Sequence, residues 1–191
     1  MTLRLDVDLT TVPLYVYKSV ELFRQAMEET IRETLRQGLC GWQVTDCTVT
    51  LTQCGYSSPS STAGDYRKLT PLVLMAALRQ AGTSVCEPIH RFHLEAPIDT
   101  LGAVMPVLVR LGAMPLGQQP RGAVSVLEGE IAAAQVHALQ QRVPGLTRGE
   151  GVLECGFDRY RPVSGPAPIR SRTDANPLNR KEYLLHVVRR V

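Results

Sequence analysis

A chain of 191 residues, 44% hydrophobic and 20% charged, has room for one large domain or two small ones. That is ordinary globular composition, and it excludes wholesale disorder. The net charge of +3 is uneven, because residues 159–191 hold 8 Lys/Arg against 2 Asp/Glu and leave the rest mildly acidic. The basic end suggests an anionic partner; a solvated helix face is the plain alternative.

Residues 3–9 and 12–18 read as extended, the first by period-two alternation and the second by its β-rich Val12-Pro-Leu-Tyr-Val-Tyr17. Together they suggest a hairpin around Thr10-Thr11. Val20, Phe23, Met27, Ile31 and Leu35 recur every three or four residues, which predicts an amphipathic helix over 20–37. Gly38 follows as a stop, since glycine enters the left-handed region without a Cβ penalty. In residues 43–53, Thr48, Thr50 and Thr52 alternate with Cys47, Val49 and Leu51, the pattern of a half-buried strand. That strand, roughly 35 Å long if fully extended, leads into a Ser/Pro/Gly loop over 55–64. A second helix covers 65–80, with Leu69, Leu72, Val73 and Ala76 inside and Thr62 with Asp65 as a capping box.

From Glu87 the predicted order is a strand at 89–96 and a helix at 98–111 interrupted by Pro106. Strands at 114–119 and 123–132, a helix at 133–142 and a strand at 152–160 follow. This β-α-β-β-α-β order is the ferredoxin-like pattern. A Pro/Gly linker spans 162–168, and Asn176-Pro177 opens a basic C-terminal helix.

No apolar run approaches the roughly 20 residues that span a bilayer, and the start lacks a secretory profile. A cytoplasmic protein with no membrane partner is expected. The five cysteines (Cys40, Cys47, Cys54, Cys86 and Cys155) are odd in number and contain no Cys-x-x-Cys pair, so reduced thiols and no zinc site are expected. Cys47 reads as a small core residue. Phosphate-loop, dinucleotide and nucleophile-elbow motifs are absent. His90 and His93, three apart on a strand, point to opposite faces and read as surface residues. No catalytic residue is assigned, and the chain reads as a binding module.

Residues 38–46 (Gly-Leu-Cys-Gly-Trp-Gln-Val-Thr-Asp) and the stretch from Tyr56 to Leu69 (Tyr-Ser-Ser-Pro-Ser-Ser-Thr-Ala-Gly-Asp-Tyr-Arg-Lys-Leu) resemble the fourth domain of the tetracycline ribosomal protection proteins, which are elongation factor G-like. Glu87-Pro88, Pro97, the Arg110-Leu-Gly-Ala-Met114 run and residues 143–160 resemble their fifth domain. Residues 175–183 look like the C-terminal helix of actinobacterial members.

The resemblance implies an α+β fold with two domains and a tail. The first, residues 1–86, is ribosomal-protein-S5-domain-2-like; the second, 87–163, is ferredoxin-like; residues 164–191 are linker and C-terminal helix. It further implies the C-terminal end of a longer translational GTPase, with GTP and magnesium confined to a G domain outside this sequence. The expected partners are small-subunit rRNA at the decoding site and the large-subunit factor-binding region, with no DNA and a monomeric state. In the family, a tip loop of the fourth domain evicts the drug and its proline stacks on a nucleobase. The matching residues here are Tyr56, Ser57, Ser58, Pro59, Ser60 and Ser61. This loop departs from the family's usual Tyr-Ser-Pro-Val-Ser at Ser57 and Ser60, and it lacks the His-Asp motif of elongation factor G itself.

The bare residues leave a plain surface turn as the alternative for the loop. For the tail, rRNA contact by Arg180, Lys181, Arg189 and Arg190 stands beside docking through Leu184, Leu185 and Val188. Trp42 and Tyr160 are expected to be buried rather than to stack on bases. An elongation-factor translocase and a stand-alone RNA-binding module remain as other readings.

Overall fold

The computed structural model describes residues 1–188, and the chain clusters into two units: Met1–Val85 with Ala167–Val191, and Cys86–Pro166. Of the segment set apart in the sequence reading, residues from Ala167 onward group with the first unit and those up to Pro166 with the second.

The first unit contains β1 (Thr2–Leu5), a 3-10 turn (Leu9–Thr11), α1 (Leu14–Tyr17) and α2 (Val20–Leu35). It continues with β2 (Thr48–Leu51), α3 (Ala63–Ala81) and α6 (Arg180–Val188). Its sheet is a parallel pair, with Leu3 opposite Val49 and Leu5 opposite Leu51. The expected N-terminal hairpin does not form, because β1 finds its partner more than 40 residues downstream. Val12–Tyr17, read as a strand, instead contains the single turn α1. Pro13 sits buried before it, and Lys18, at φ 64, ends it. β-propensity describes fit to a half-buried pleated surface, and no neighbouring strand offers these residues one.

α2 follows its apolar stripe. Phe23, Met27, Ile31 and Leu35 are all buried, each contributing about 1.5–3 kcal/mol of transfer free energy. Ser19 caps the start, its hydroxyl accepting from the Leu22 N–H at 3.1 Å. Gly38 is not the left-handed stop the sequence suggests. Its φ is not positive, and a Cβ there would meet Val44 Cγ2 at 2.4 Å, so the glycine serves a close chain reversal. Cys47, Val49 and Leu51 are half-buried and pack against this core, while Thr48, Thr50 and Thr52 are exposed. Only Thr48–Leu51 is strand, however, since Asp46 turns left-handed at φ 51. The loop beyond is thus not separated from Gly38 by an 11-residue strand.

α3 is capped as expected: the Asp65 carboxylate accepts from the Thr62 N–H at 2.7 Å and its hydroxyl at 3.0 Å. Its buried residues are Leu74 and Met75, whereas Leu69, Val73 and Ala76 are exposed. Leu69 and Val73 line an apolar groove of about 340 Å³ formed with α2 and β2.

The second unit runs β3 (Cys86–Pro97), α4 (Leu101–Arg110), β4 (Met114–Arg121), β5 (Val124–Ala132), α5 (Ala133–Leu146) and β6 (Val152–Pro162). The antiparallel sheet has the order β4-β5-β3-β6, which is the ferredoxin-like topology. Phe92, Leu94, Leu108, Leu127, Ile131 and Leu139 form its core. Pro106 does not interrupt α4. Proline there removes one backbone bond in mid-helix, yet the helix runs through to Arg110. His90 and His93 are half-buried rather than fully exposed. His90 lies edge-on to Phe157, and His93 lies 3.4 Å from Glu95 and 3.5 Å from Glu128.

Candidate nucleic-acid interface

The loop between β2 and α3 presents Tyr56, Ser57, Ser58, Pro59 and Ser60 to solvent, with Ser61 half-buried. Its shape is closed by its own polar groups. The Ser61 N–H donates to the Ser57 carbonyl at 2.8 Å, the Ser60 hydroxyl donates to the same oxygen at 3.1 Å, and the Ser57 N–H donates to Ser61 Oγ at 2.9 Å. Pro59 lies within this ring, and the Ser58–Pro59 peptide is cis.

Two tyrosines from outside fasten the loop to the scaffold. The Tyr66 hydroxyl, on the first turn of α3, donates to the Gly55 carbonyl at 2.9 Å. Its ring packs edge-on against Tyr17 and Phe23 at 5.7 and 5.9 Å. Burial there pushes the Tyr66 phenol far above the usual tyrosine range, and the neighbouring Cys54 thiol adds to the effect. Tyr15, on α1, donates to the Ser61 carbonyl at 2.8 Å and reaches the Ser57 carbonyl at 3.3 Å. Its ring lies 5.3 Å from that of Tyr56. Asp65 is held below the ordinary carboxylate range by the Thr62 N–H first and the Thr62 hydroxyl second. It thus keeps the anionic form that caps α3. No periodicity or motif links residue 15 to residues 57 and 61, so the Tyr15 contact was not legible in the sequence.

The basic C-terminal stretch is divided between the two units. Arg159 and Arg161 belong to β6 in the second unit. Arg159 grips Glu130 with two bonds of 2.8 Å, and Arg161 meets Glu87 at 3.1 Å. Arg170 and Arg172 strap the tail to the end of α2. The Arg170 guanidinium lies 5.6 Å from the Trp42 ring centre, and the Trp42 Nε1–H donates to the Pro168 carbonyl at 2.8 Å. Arg172 donates to the carbonyls of Gln37 and Gly38 and pairs with Asp174. A cation at a helix C-terminus is favoured by the aligned peptide dipoles.

Arg180 and Lys181 are exposed, with neither an ion pair nor a ring contact among the described residues, whereas the exposed Arg170 is engaged by Trp42. Arg189 and Arg190, and the side chain of Val188, lie outside what the structure describes. No described hydrogen bond, ion pair or ring contact joins the loop to Arg180 or Lys181.

Helix α6 starts a turn later than Asn176-Pro177 predicts. Asn179 is the cap, its side-chain oxygen accepting from the Glu182 N–H at 3.4 Å. Tyr183 is its buried contact, while Leu185 is exposed and Leu184 half-buried. Trp42 and Tyr160, expected inside, are 43% and 65% exposed. The Trp42 indole serves as the seat of the tail, and Tyr160 lies 5.2 Å from the exposed Phe157 ring.

Residues 17–82 match the family "Elongation factor G, domain IV", and residues 84–170 match "Elongation factor G C-terminus". The chain is 50% identical over 193 aligned residues to the oxytetracycline resistance protein of Streptomyces rimosus, an alignment that takes in all of this chain and 28% of that protein. It is 50% identical to the tetracycline resistance protein TetM of Streptomyces lividans over 75% of this chain and 23% of the relative. With TetP of Clostridium perfringens the identity is 36%, over 86% of this chain and 25% of the relative. The chain thus spans about a quarter of the length of these proteins. A crystal structure from Thermus thermophilus superposes on 85% of this chain and 24% of its own, with a TM-score of 0.68 at 24% identity, a likeness of fold.

Proposed function

Because the chain belongs to the elongation factor G-like family, carrying its domain IV and its C-terminal domain, we propose that it is the ribosome-binding end of a tetracycline protection factor. In this reading the Tyr56–Ser61 loop enters the decoding site of the small subunit and displaces the drug. The observation that carries it is the loop itself: an exposed proline held in a polar ring and fastened at both ends to a packed core. An apolar ring face is what stacking on a base requires, and the surrounding hydroxyls suit sugar and phosphate oxygens. The second unit would meet the large-subunit factor-binding region. GTP and magnesium would be held by a G domain elsewhere in the gene product, which works as a monomer in the cytoplasm.

Drug displacement is the test. Small subunits loaded with radiolabelled tetracycline are titrated with the chain, and bound chain and bound drug are counted together. Drug loss that tracks chain occupancy is the expected result. Bound chain with the drug retained would sink this reading and favour the translocase.

Arg180 and Lys181 are proposed to contact rRNA phosphates. They occupy the first turn of α6, where the helix dipole disfavours cations, so their placement does not serve the helix. Each phosphate contact contributes roughly 0.7–0.9 to the slope of log K against log salt. Replacing both by alanine should flatten the slope of subunit binding by about 1.5. Arg172→Lys, which keeps a cation near the Gln37 and Gly38 carbonyls, should leave the slope unchanged. A double variant with the parent slope would show that α6 only packs on the protein.

A further inference from the structure

We propose that Tyr15 is a positioning residue that holds the Tyr56–Ser61 loop in its binding shape. The inference rests on the proposed decoding-site role of that loop. Tyr15 lies 42 and 46 residues before its two acceptors, so its hydroxyl ties the loop to a distant part of the chain. The side chain stands on the short α1, between the buried Pro13 and Tyr17. Its backbone is therefore anchored by packed neighbours outside the loop, while its ring, 46% exposed, reaches over to the loop.

The two acceptors are the carbonyls at either end of the polar ring, Ser61 at 2.8 Å and Ser57 at 3.3 Å. The Ser57 oxygen accepts from the Ser60 hydroxyl and the Ser61 N–H, and the single Tyr15 proton, directed mainly at Ser61, is shared with it. One hydroxyl thus spans both ends of the segment that carries Pro59. Without it, Tyr66 still holds Gly55, but the bonds that join Ser57 to Ser61 are internal to the loop and open to competition from water. A loop already ordered before it binds loses less freedom on binding. The Tyr15 ring against Tyr56, at 5.3 Å, adds a second hold on the loop's first residue.

The experiment compares the whole chain with Tyr15→Phe, Tyr15→Ala, Pro59→Gly and the Tyr15→Phe/Pro59→Gly double variant. It reads affinity for purified small subunits, amide exchange at Ser57 and Ser61, and melting temperature. Tyr15→Phe keeps the ring and removes only the hydroxyl. It should speed exchange at both serines and weaken binding three- to tenfold, the scale of one or two neutral hydrogen bonds. The melting temperature should hold. Added to Pro59→Gly it should weaken binding little further, because groups acting through one loop are not additive. Unchanged exchange in Tyr15→Phe, or a loss of affinity confined to Tyr15→Ala, would overturn the proposal. If Pro59→Gly weakens binding and Tyr15→Phe does not, the positioning role alone falls. If Pro59→Gly binds as the parent does, the decoding-site reading falls and takes this role with it.

Discussion

Replacing Pro59 by glycine in the complete gene product should cut tetracycline protection ten- to hundredfold and leave the melting temperature nearly unchanged. Pro59 is exposed, and none of the bonds that close the loop uses its side chain. Surface substitutions of this kind usually stay within about 0.5 kcal/mol. What glycine removes is a stacking face worth roughly 1–3 kcal/mol if a base packs there. It also frees the backbone, which must then be ordered on binding. Both effects fall on the bound state, where about 1.4 kcal/mol is tenfold in occupancy. The readouts are the inhibitory concentration of tetracycline at matched protein level and the melting temperature of the purified variant. Unaltered protection would remove the loop from the mechanism. Ser60→Ala, which deletes one donor to the Ser57 carbonyl but keeps the proline face, should lower protection less than Pro59→Gly does.

Local chemistry decided how much of this was legible in the sequence. The stripe Phe23, Met27, Ile31 and Leu35 predicted α2 because one face is apolar and the other charged, and all four residues are buried. The ferredoxin-like unit was legible because its strands and helices alternate at short spacing, with turn residues between them. α3 and its cap were legible but its buried face was not, since Leu, Val, Met and Ala surround it and periodicity has little contrast to work with. Residues 12–17 misled because composition favours strand while no strand lies beside them. β1 and β2 pair in parallel across a long separation, which no local pattern encodes. The same limit hid the most useful contacts of the candidate site. Tyr15 meets the loop, and Arg172 meets the end of α2, through the tertiary fold alone. Net charge likewise does not show that most of the described cations of the last stretch are engaged by Glu130, Glu87, Trp42 and the Gln37 and Gly38 carbonyls.

Gly41→Ala should release the C-terminal tail, with a cost of about 2–4 kcal/mol to the first unit. Gly41 lies at φ +76, and a Cβ there would stand 1.9 Å from the Arg170 carbonyl oxygen and 2.8 Å from its carbon. Those are backbone atoms, which cannot swing aside as the end of a flexible side chain can. The left-handed conformation alone costs an alanine roughly 1–2 kcal/mol. Relieving the clash requires the tail to move, and the tail is held at closely spaced points. The Arg170 N–H donates to the Cys40 carbonyl at 2.9 Å, Gln37 exchanges bonds of 2.9 and 2.8 Å with Thr173, and Trp42 holds Pro168. Each such bond contributes about 0.5–1.5 kcal/mol net, and the Arg170–Trp42 contact about 0.5–1 kcal/mol. Trypsin should then cut at Arg170 and Arg172 in the variant well before the parent. Subunit binding should weaken as well, because Arg180 and Lys181 sit on the released segment. Its salt slope should flatten toward that of the double alanine variant. Arg172→Ala, which removes the donor to the Gln37 and Gly38 carbonyls without a backbone clash, should speed cutting at Arg170 and flatten the slope to a smaller degree. A Gly41→Ala chain whose tail resists trypsin as the parent does would show that the strap is not what seats α6.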